Sequence, residues 1–562
     1  MAGGIGRLTL SDSSYWRGSV SFLIQRKLRR QTLLAESIIA REWYRYGQTW
    51  GKAQRALHSF LWIPMASRTR SLMLSAFFLV IIAASGQASE KPGSGIVSRI
   101  PALQLQADFT VFMRAYEELH PGLYCYNTKA QMDANFGELQ NQLNHDLTLQ
   151  ETYLAFSVFL AKIKCGHSYP NFFNQPETVV KALFQHQDRV FRWLDRRMII
   201  TRNFSGEARL DAGNEVLSIN GTPVDQILAR LMTIARADGS NDAKRVSYLE
   251  VSGDSRFEAF DVYFPMFFPQ TDTSMKLRVK SLTTGMISAF DAVALTYEQR
   301  VAPIKSEDES QHGGDTPLWQ LEFLDERTAY LKMKTWALFN SKWDWKAVLD
   351  NAFTEIAKRK ITTLVIDVRG NEGGNSVGDV IVSKLARQDV PVDQFRRLVR
   401  YKRVPDDLVP YLDTWDPSFK DWGSAAVEPS EGYYRLNKYD DEPGREVIRA
   451  SAHPFTGKTY VLVNAANSSA TFEFAQIMQQ NKLGILVGQP TGGNQRGING
   501  GAFFFLRLPN SKIEIDLPLL GVFPPAERPD AGLQPDITVQ PRAEDIARGV
   551  DTELDEIKRR LK

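Results

Sequence analysis

Hydrophobic positions along this chain fall into three successive rhythms. Between 101 and 165 they recur at helical spacing. Phe109, Phe112, Met113 and Tyr116 occupy i, i+3, i+4 and i+7, the stripe that a helix buries on one face. Pro121-Gly122 closes that helix. The periodicity predicts two more, over 129–143 and 149–163, the last running into Cys165-Gly166-His167-Ser168. From 190 to 303 the apolar runs shorten. Residues 197–201 (RMIIT) and 215–219 (EVLSI) read as strands, Asn220-Gly221 as a turn, and 224–235 as a helix. After a polar linker at 304–316, strand and helix patterns alternate: strand 328–333, helix 343–358, strand 362–368, helix 377–385, strand 459–464, helix 470–480. Apolar runs alternating with helical patterns predict a parallel α/β sheet. Residues 390–456, rich in aromatics and Pro, read as an insert. The run at 503–505, Phe-Phe-Phe, reads as core strand rather than pocket wall. The fold class is therefore α/β and multidomain: a helical region at 101–175, a β module at 190–303 and an α/β domain at 317–545.

Composition agrees with a globular chain of several domains: 562 residues, 43% hydrophobic and 24% charged. Charge is unevenly placed. Residues 1–88 hold 12 Lys/Arg against 3 Asp/Glu, a net of +9, so the remainder carries −6 of the total +3. The basic character belongs to the leader, which removes the case for nucleic-acid binding. Residues 65–88 read as a secretory signal peptide. Arg68 and Arg70 precede a mostly apolar run over 72–84, and Gly86-Gln87-Ala88 supplies small residues for cleavage. This predicts an exported protein, periplasmic or secreted, without stable membrane insertion after cleavage. The alternative is anchoring by an uncleaved 72–84 segment. Residues 1–64 form a leader of doubtful status. Export puts the only two cysteines, Cys125 and Cys165, in an oxidising compartment, where a bridge and two separate thiols both stand open.

Two segments carry chemistry. Val368 leads into Arg369-Gly370-Asn371-Glu372-Gly373-Gly374, a turn whose glycines permit close backbone approach. It has no Lys-Ser/Thr after it, so it is not a phosphate loop. The strand ending at Asn464 leads to Asn467-Ser468-Ser469-Ala470 at a helix start. A serine there stands beside unpaired N–H groups able to hold an oxyanion, although each of these residues is also a good N-cap. No His/Cys cluster has metal-ligand spacing, so no metal and no cofactor are implied.

Together, 364–374 (LVIDVRGNEGG) and 467–493 (NSSATFEFA through LGILVGQPTGG) resemble the tail-specific, or C-terminal-processing, serine peptidase family over about 317–545. The resemblance implies a crotonase-like α/β catalytic domain, Ser469 as nucleophile, and an oxyanion hole from Gly373 or Gly374 with the Ala470 N–H. The Ser/Lys branch of the family places its lysine just after the downstream turn. Here Gly488-Gln489-Pro490-Thr491-Gly492-Gly493 leads to Asn494. The chain is thus similar to the Ser-His-Glu branch, that of tricorn core peptidases. That branch implies His167, in Gly166-His167-Ser168, as base. Glu527, 58 residues after Ser469, would be the orienting acid, with Asp530 as competitor. Taken alone, His167 also reads as a helix C-terminal histidine favoured by the macrodipole. Residues 213–224 (GNEVLSINGTPV) resemble part of a PDZ domain, a module that docks peptide tails.

The expected function is an exported serine endopeptidase working on protein or peptide substrates through an acyl-enzyme. The first alternative is a non-catalytic ligand- or peptide-binding protein on the same fold, and the second an esterase-like hydrolase.

Overall fold

The computed structural model describes residues 7–8, 98–183, 190–253, 255–269, 274–293, 295, 299, 318–339, 342–392, 395–438 and 446–562. The signal segment at 65–88 and the linker at 304–316 lie outside them. Among the described residues no helix is long and apolar enough to cross a membrane.

The central sheet grows from strands whose residues are apolar on both faces. All five residues of Thr363–Asp367 are buried, as are five of six in Lys458–Val463. Only a parallel sheet covered by helices on both sides satisfies such strands. The strand order is Trp319–Phe323, Thr328–Met333, Thr363–Asp367, Lys458–Val463, Ile485–Gly488 and Ile537–Thr538. The short Arg7–Leu8 pair lies antiparallel on the Trp319–Phe323 edge. Trp319–Phe323 is antiparallel to its neighbour, and every later pairing is parallel.

The helices Trp345–Lys358, Val377–Leu385 and Ser469–Gln480 cover one face, packing Ile356, Ile381 and Phe474 near Leu364, Ile366 and Val461. The C-terminal helix Thr552–Leu561 sets Leu554 and Ile557 against Val365, Tyr460 and Leu462 on the other. Thr363–Asp367 and Lys458–Val463 are adjacent, so their carboxyl ends bring the 368–374 and 464–469 turns side by side. That is where open α/β sheets place their sites.

A second, antiparallel sheet runs in the order Leu412–Asp413, Ile498–Arg507, Glu514–Phe523, Arg396–Val399, Tyr433–Leu436, Ala426–Ser430. The 390–456 segment is thus woven into one sheet with the 498–523 hairpin. The helical region, Ala102–Leu119, Lys129–Gln142 and Leu149–Ile163, shares a core with this sheet. Tyr116 donates to the Asp516 carbonyl at 2.9 Å, and the Asp108 carboxylate accepts from the Asn510 and Ser511 N–H groups at 2.7 and 2.8 Å. The β module is a six-stranded sheet, Val190–Leu194 through Ile287–Val293, in which the short Thr222–Pro223 strand pairs with Glu215–Ile219 and leads into the helix Val224–Leu231.

Two readings are corrected. The helix expected over 224–235 stops at Leu231. The 503–505 run is not core on both faces: Phe504 is fully buried, but Phe503 and Phe505 alternate to the other side and are half-buried. Phe503 lies 5.8 Å from the His167 ring and 5.9 Å from Trp415. In an antiparallel strand successive side chains must face opposite ways, so three identical residues take two environments.

Candidate active site

Ser469 opens the helix Ser469–Gln480 with φ at +50°, in the left-handed region. A non-glycine residue there costs roughly 1–3 kcal/mol and persists only when its surroundings hold it. Those surroundings are the two strand-end turns, stitched to each other. The buried Asn467 amide donates to the Val368 carbonyl at 2.5 Å and to Asn371 O at 3.0 Å. Thr471 Oγ1 donates to Asn371 O at 2.8 Å and Ser468 Oγ to Glu372 O at 3.3 Å. The Gly370 N–H donates to Asn464 Oδ1 at 3.1 Å. Asn467 O in turn accepts from the N–H groups of Gly492 and Gly493, at 2.7 and 2.9 Å, which adds the 491–497 turn.

The glycines have distinct roles. Gly373 has φ at +103°, and a Cβ there would sit 2.8 Å from the Ala470 N and 2.9 Å from Ser468 O. Its missing side chain keeps the approach to the Ala470 N–H clear. That N–H belongs to the first helical turn, whose donors have no acceptor within the helix. The Gly373 N–H itself donates to Asn371 Oδ1 at 3.0 Å. The expectation that it donates to an oxyanion is therefore corrected: Gly373 contributes space. Gly374, with φ at +136°, presses on the Trp336 backbone, where a Cβ would fall 2.2 Å from the carbonyl oxygen.

Arg369 fixes the base of the turn. It forms a two-point bridge to Asp367 (2.9 and 2.7 Å) and another to Asp551 (2.8 and 2.6 Å), and it pairs with Glu553 at 3.2 Å.

His167 lies beyond the Leu149–Ile163 helix, after Lys164 has turned left-handed. The macrodipole reading is corrected accordingly: burial lowers the imidazole below its ordinary value, with Asp238 pulling the other way and Arg236 adding to the lowering. The ring is thus neutral at pH 7, as a base must be. Its loop is held from a distance. Gly166 N donates to Asp238 Oδ1 at 2.8 Å, and Arg236 donates to the Gly166 carbonyl at 2.5 Å while its guanidinium lies 4.3 Å from the Tyr169 ring. On the far side Ser168 Oγ meets Nε2 of fully buried His120 at 2.9 Å.

The expected acids are not at the imidazole. Glu527 is drawn into solvent, pairing with Arg496 at 3.1 Å with 83% of its side chain exposed. Asp530 spends Oδ1 on the Ser240 N–H at 2.9 Å and the Asn494 amide at 2.7 Å. His167 Nδ1 is buried without a hydrogen-bond partner, and no hydrogen bond joins His167 to Ser469. The carboxylates whose fields reach the imidazole are Asp238 and Glu372. Asp238 also lines, with Ser469, a small cleft open to solvent.

Sequence reasoning missed the charged group around this cleft. Lys244 is buried and pairs with Glu372, and its ammonium donates to the Ala466 carbonyl at 3.0 Å. Burial lowers it, against the pull of Glu372. Burial would raise the Glu372 carboxyl, but Lys244 and Arg236 hold it down at about 2. A turn signal at Asp238-Gly239-Ser240-Asn241 was the only local hint of this segment. Cys125 and Cys165 are free thiols, and burial pushes Cys165 up to about 12. Among the described residues no group of acidic, His or Cys side chains could hold a metal ion.

Known proteins give this geometry a context. No curated protein matches the chain in sequence. Among solved structures it is similar to mature CPAF complexed with lactacystin, at 15% identity and a TM-score of 0.55, covering 82% of this chain and 98% of that one. It is likewise similar to mature CPAF alone, at 15% identity and a TM-score of 0.56, covering 81% and 96%. At that identity the likeness is one of fold. Residues 327–539, which contain both strand-end turns, match the family described as Peptidase family S41. That segment is thus similar to peptidase family S41, and the match supports a serine peptidase.

Proposed function

We propose that the protein cleaves peptide bonds through an acyl-enzyme on Ser469, with His167 as general base and the Ala470 N–H as an oxyanion donor. The observation that carries this is the left-handed Ser469 at a helix start, with Gly373 leaving the Ala470 N–H unobstructed. Ser469 Oγ would attack the carbonyl carbon as His167 takes its proton. The imidazolium would then protonate the leaving amine, and water would release the acyl group by the same route in reverse. Catalytic hydrogen bonds commonly tighten only around substrate. We assign that closing to the His167 and Ser469 pair, with Asp238 or Glu372 stabilising the imidazolium in place of Glu527 or Asp530.

We further propose export through the 65–88 segment, checked by the N-terminus of the secreted chain, which should begin just after Ala88. The β module is proposed as a PDZ-like dock for substrate tails.

The test is fluorophosphonate labelling with mass-spectrometric mapping, beside Ser469→Ala and His167→Ala. Label at Ser469 that is lost in both variants is expected. Label surviving His167→Ala would remove the histidine from the mechanism. Absence of label on folded protein would point to a binding role.

A further inference from the structure

The cleft beside Ser469 has an uneven chemistry. Ser469 and Glu473 are one helical turn apart on the same helix, and both line it. Phe395, Phe472 and Ile498 supply apolar wall, and Asp238 supplies a second carboxylate. No Lys or Arg is among the lining residues. Resting on the peptidase reading of Ser469, we propose that this cleft is the substrate subsite for a cationic residue, Lys or Arg, and that Glu473 selects for it.

The shape of the argument is that of an amphipathic ligand. Lys and Arg carry a long apolar stem and a charged head. Here aromatic and aliphatic walls lie beside carboxylates within one turn of the nucleophile. Glu473 takes no salt bridge among the described residues. Glu473 is exposed on the cleft side of its helix, with the Asp379 carboxylate of the neighbouring helix Val377–Leu385 adding negative field and Arg397 opposing it. Asp379 is itself pushed up to about 6 by burial. These acids are short of positive partners, and a substrate cation would supply one. An acidic substrate residue in the cleft would meet the Asp238 and Glu473 carboxylates with no Lys or Arg on the cleft wall.

The experiment measures binding apart from turnover. Full-length protein carrying Ser469→Ala is titrated with fluorescent decapeptides that differ only in Lys or norleucine, stepped through each position. At one position Lys should bind about tenfold tighter, the worth of one charged hydrogen bond. Adding Glu473→Gln should erase that gap, and Glu473→Lys should turn the preference toward Glu. The Gln variant is isosteric and decides the matter if the Lys variant does not fold. Absence of any Lys preference, or a preference unchanged by Glu473→Gln, overturns the proposal. Turnover of the same peptides by the wild type is scored separately. Cleavage without a Glu473-dependent preference sinks the subsite and spares the peptidase reading. A Glu473-dependent preference without cleavage does the reverse.

Discussion

The two halves of the proposed catalytic apparatus are built on different plans. Ser469 is over-determined by its own neighbourhood: two adjacent parallel strands deliver two turns, and Asn467, Thr471 and Ser468 lace them together through the backbone of 368–372. His167 stands on a loop with no strand beneath it. It is held by Asp238 and Arg236, some seventy residues downstream, and by His120 and Ser168 behind it. The serine side is tied by several hydrogen bonds running between two adjacent strand-end turns. The histidine side is tied at Gly166 by two charged side chains, and leaves Nδ1 without a partner. A strained residue can persist only on the first kind of support, whereas a base that must take up and release a proton can work on the second.

Five changes would break or sharpen that contrast. The largest effect belongs to Arg369→Met. It leaves buried Asp367 and Glu553 uncompensated, with Asp551 beside them, and should cost about 3–5 kcal/mol of stability in urea melts.

Gly373→Ala comes next. Its Cβ meets main-chain atoms below 3 Å at a positive φ. Ser469 labelling should therefore fall by roughly 10²–10³, the scale of losing an oxyanion donor.

The third is His120→Gln. In the folded wild type, burial lowers His120 from 6.5 to about 3. Between those values the unfolded chain binds the extra proton, so stability falls as pH drops below 6.5, by at most about 1.4 kcal/mol per pH unit. The variant should show a smaller loss of melting temperature between pH 7 and pH 5.

A smaller effect is expected of Asp238→Asn, which keeps an acceptor for Gly166 N but removes the charge that raises His167. The acid limb of the labelling rate, which in the wild type should lie below pH 6.5, should move to still lower pH. A shift upward would exclude Asp238 as a stabiliser of the imidazolium.

The smallest belongs to Gly500→Ala. Its Cβ would make ordinary contact with the His167 ring at 3.8 Å, so activity should stay within about twofold. A large loss there would show that the histidine side is as tightly packed as the nucleophile side.

Much of the α/β half was legible along the chain. Strand Thr328–Met333 and helix Val377–Leu385 fall where the pattern puts them, and the helix expected over 470–480 begins one residue earlier, at Ser469. Strands buried on both faces declare themselves as continuous apolar runs, and a helix start declares itself by its capping residues. The antiparallel sheet was not legible, because its strands come from 396–436 and 498–523 and only their pairing makes them one layer. Phe503 shows the limit at a single residue: its identity is that of its two neighbours, and only the pleat turns it toward His167.

By itself the sequence determined the parallel core, the two glycine- and serine-bearing turns at its strand ends, and Ser469 at a helix start. These depend on local periodicity and on what each residue type permits its own backbone. The tertiary structure decided which charges meet. It sent Glu527 to Arg496 and Asp530 to Asn494, brought Asp238, Glu372 and Lys244 around the histidine, and placed Glu473 in the cleft beside Ser469. Coulombic and hydrogen-bonded partners are chosen by distance in space, and residues tens to hundreds of positions apart carry no mark of that distance in their order along the chain.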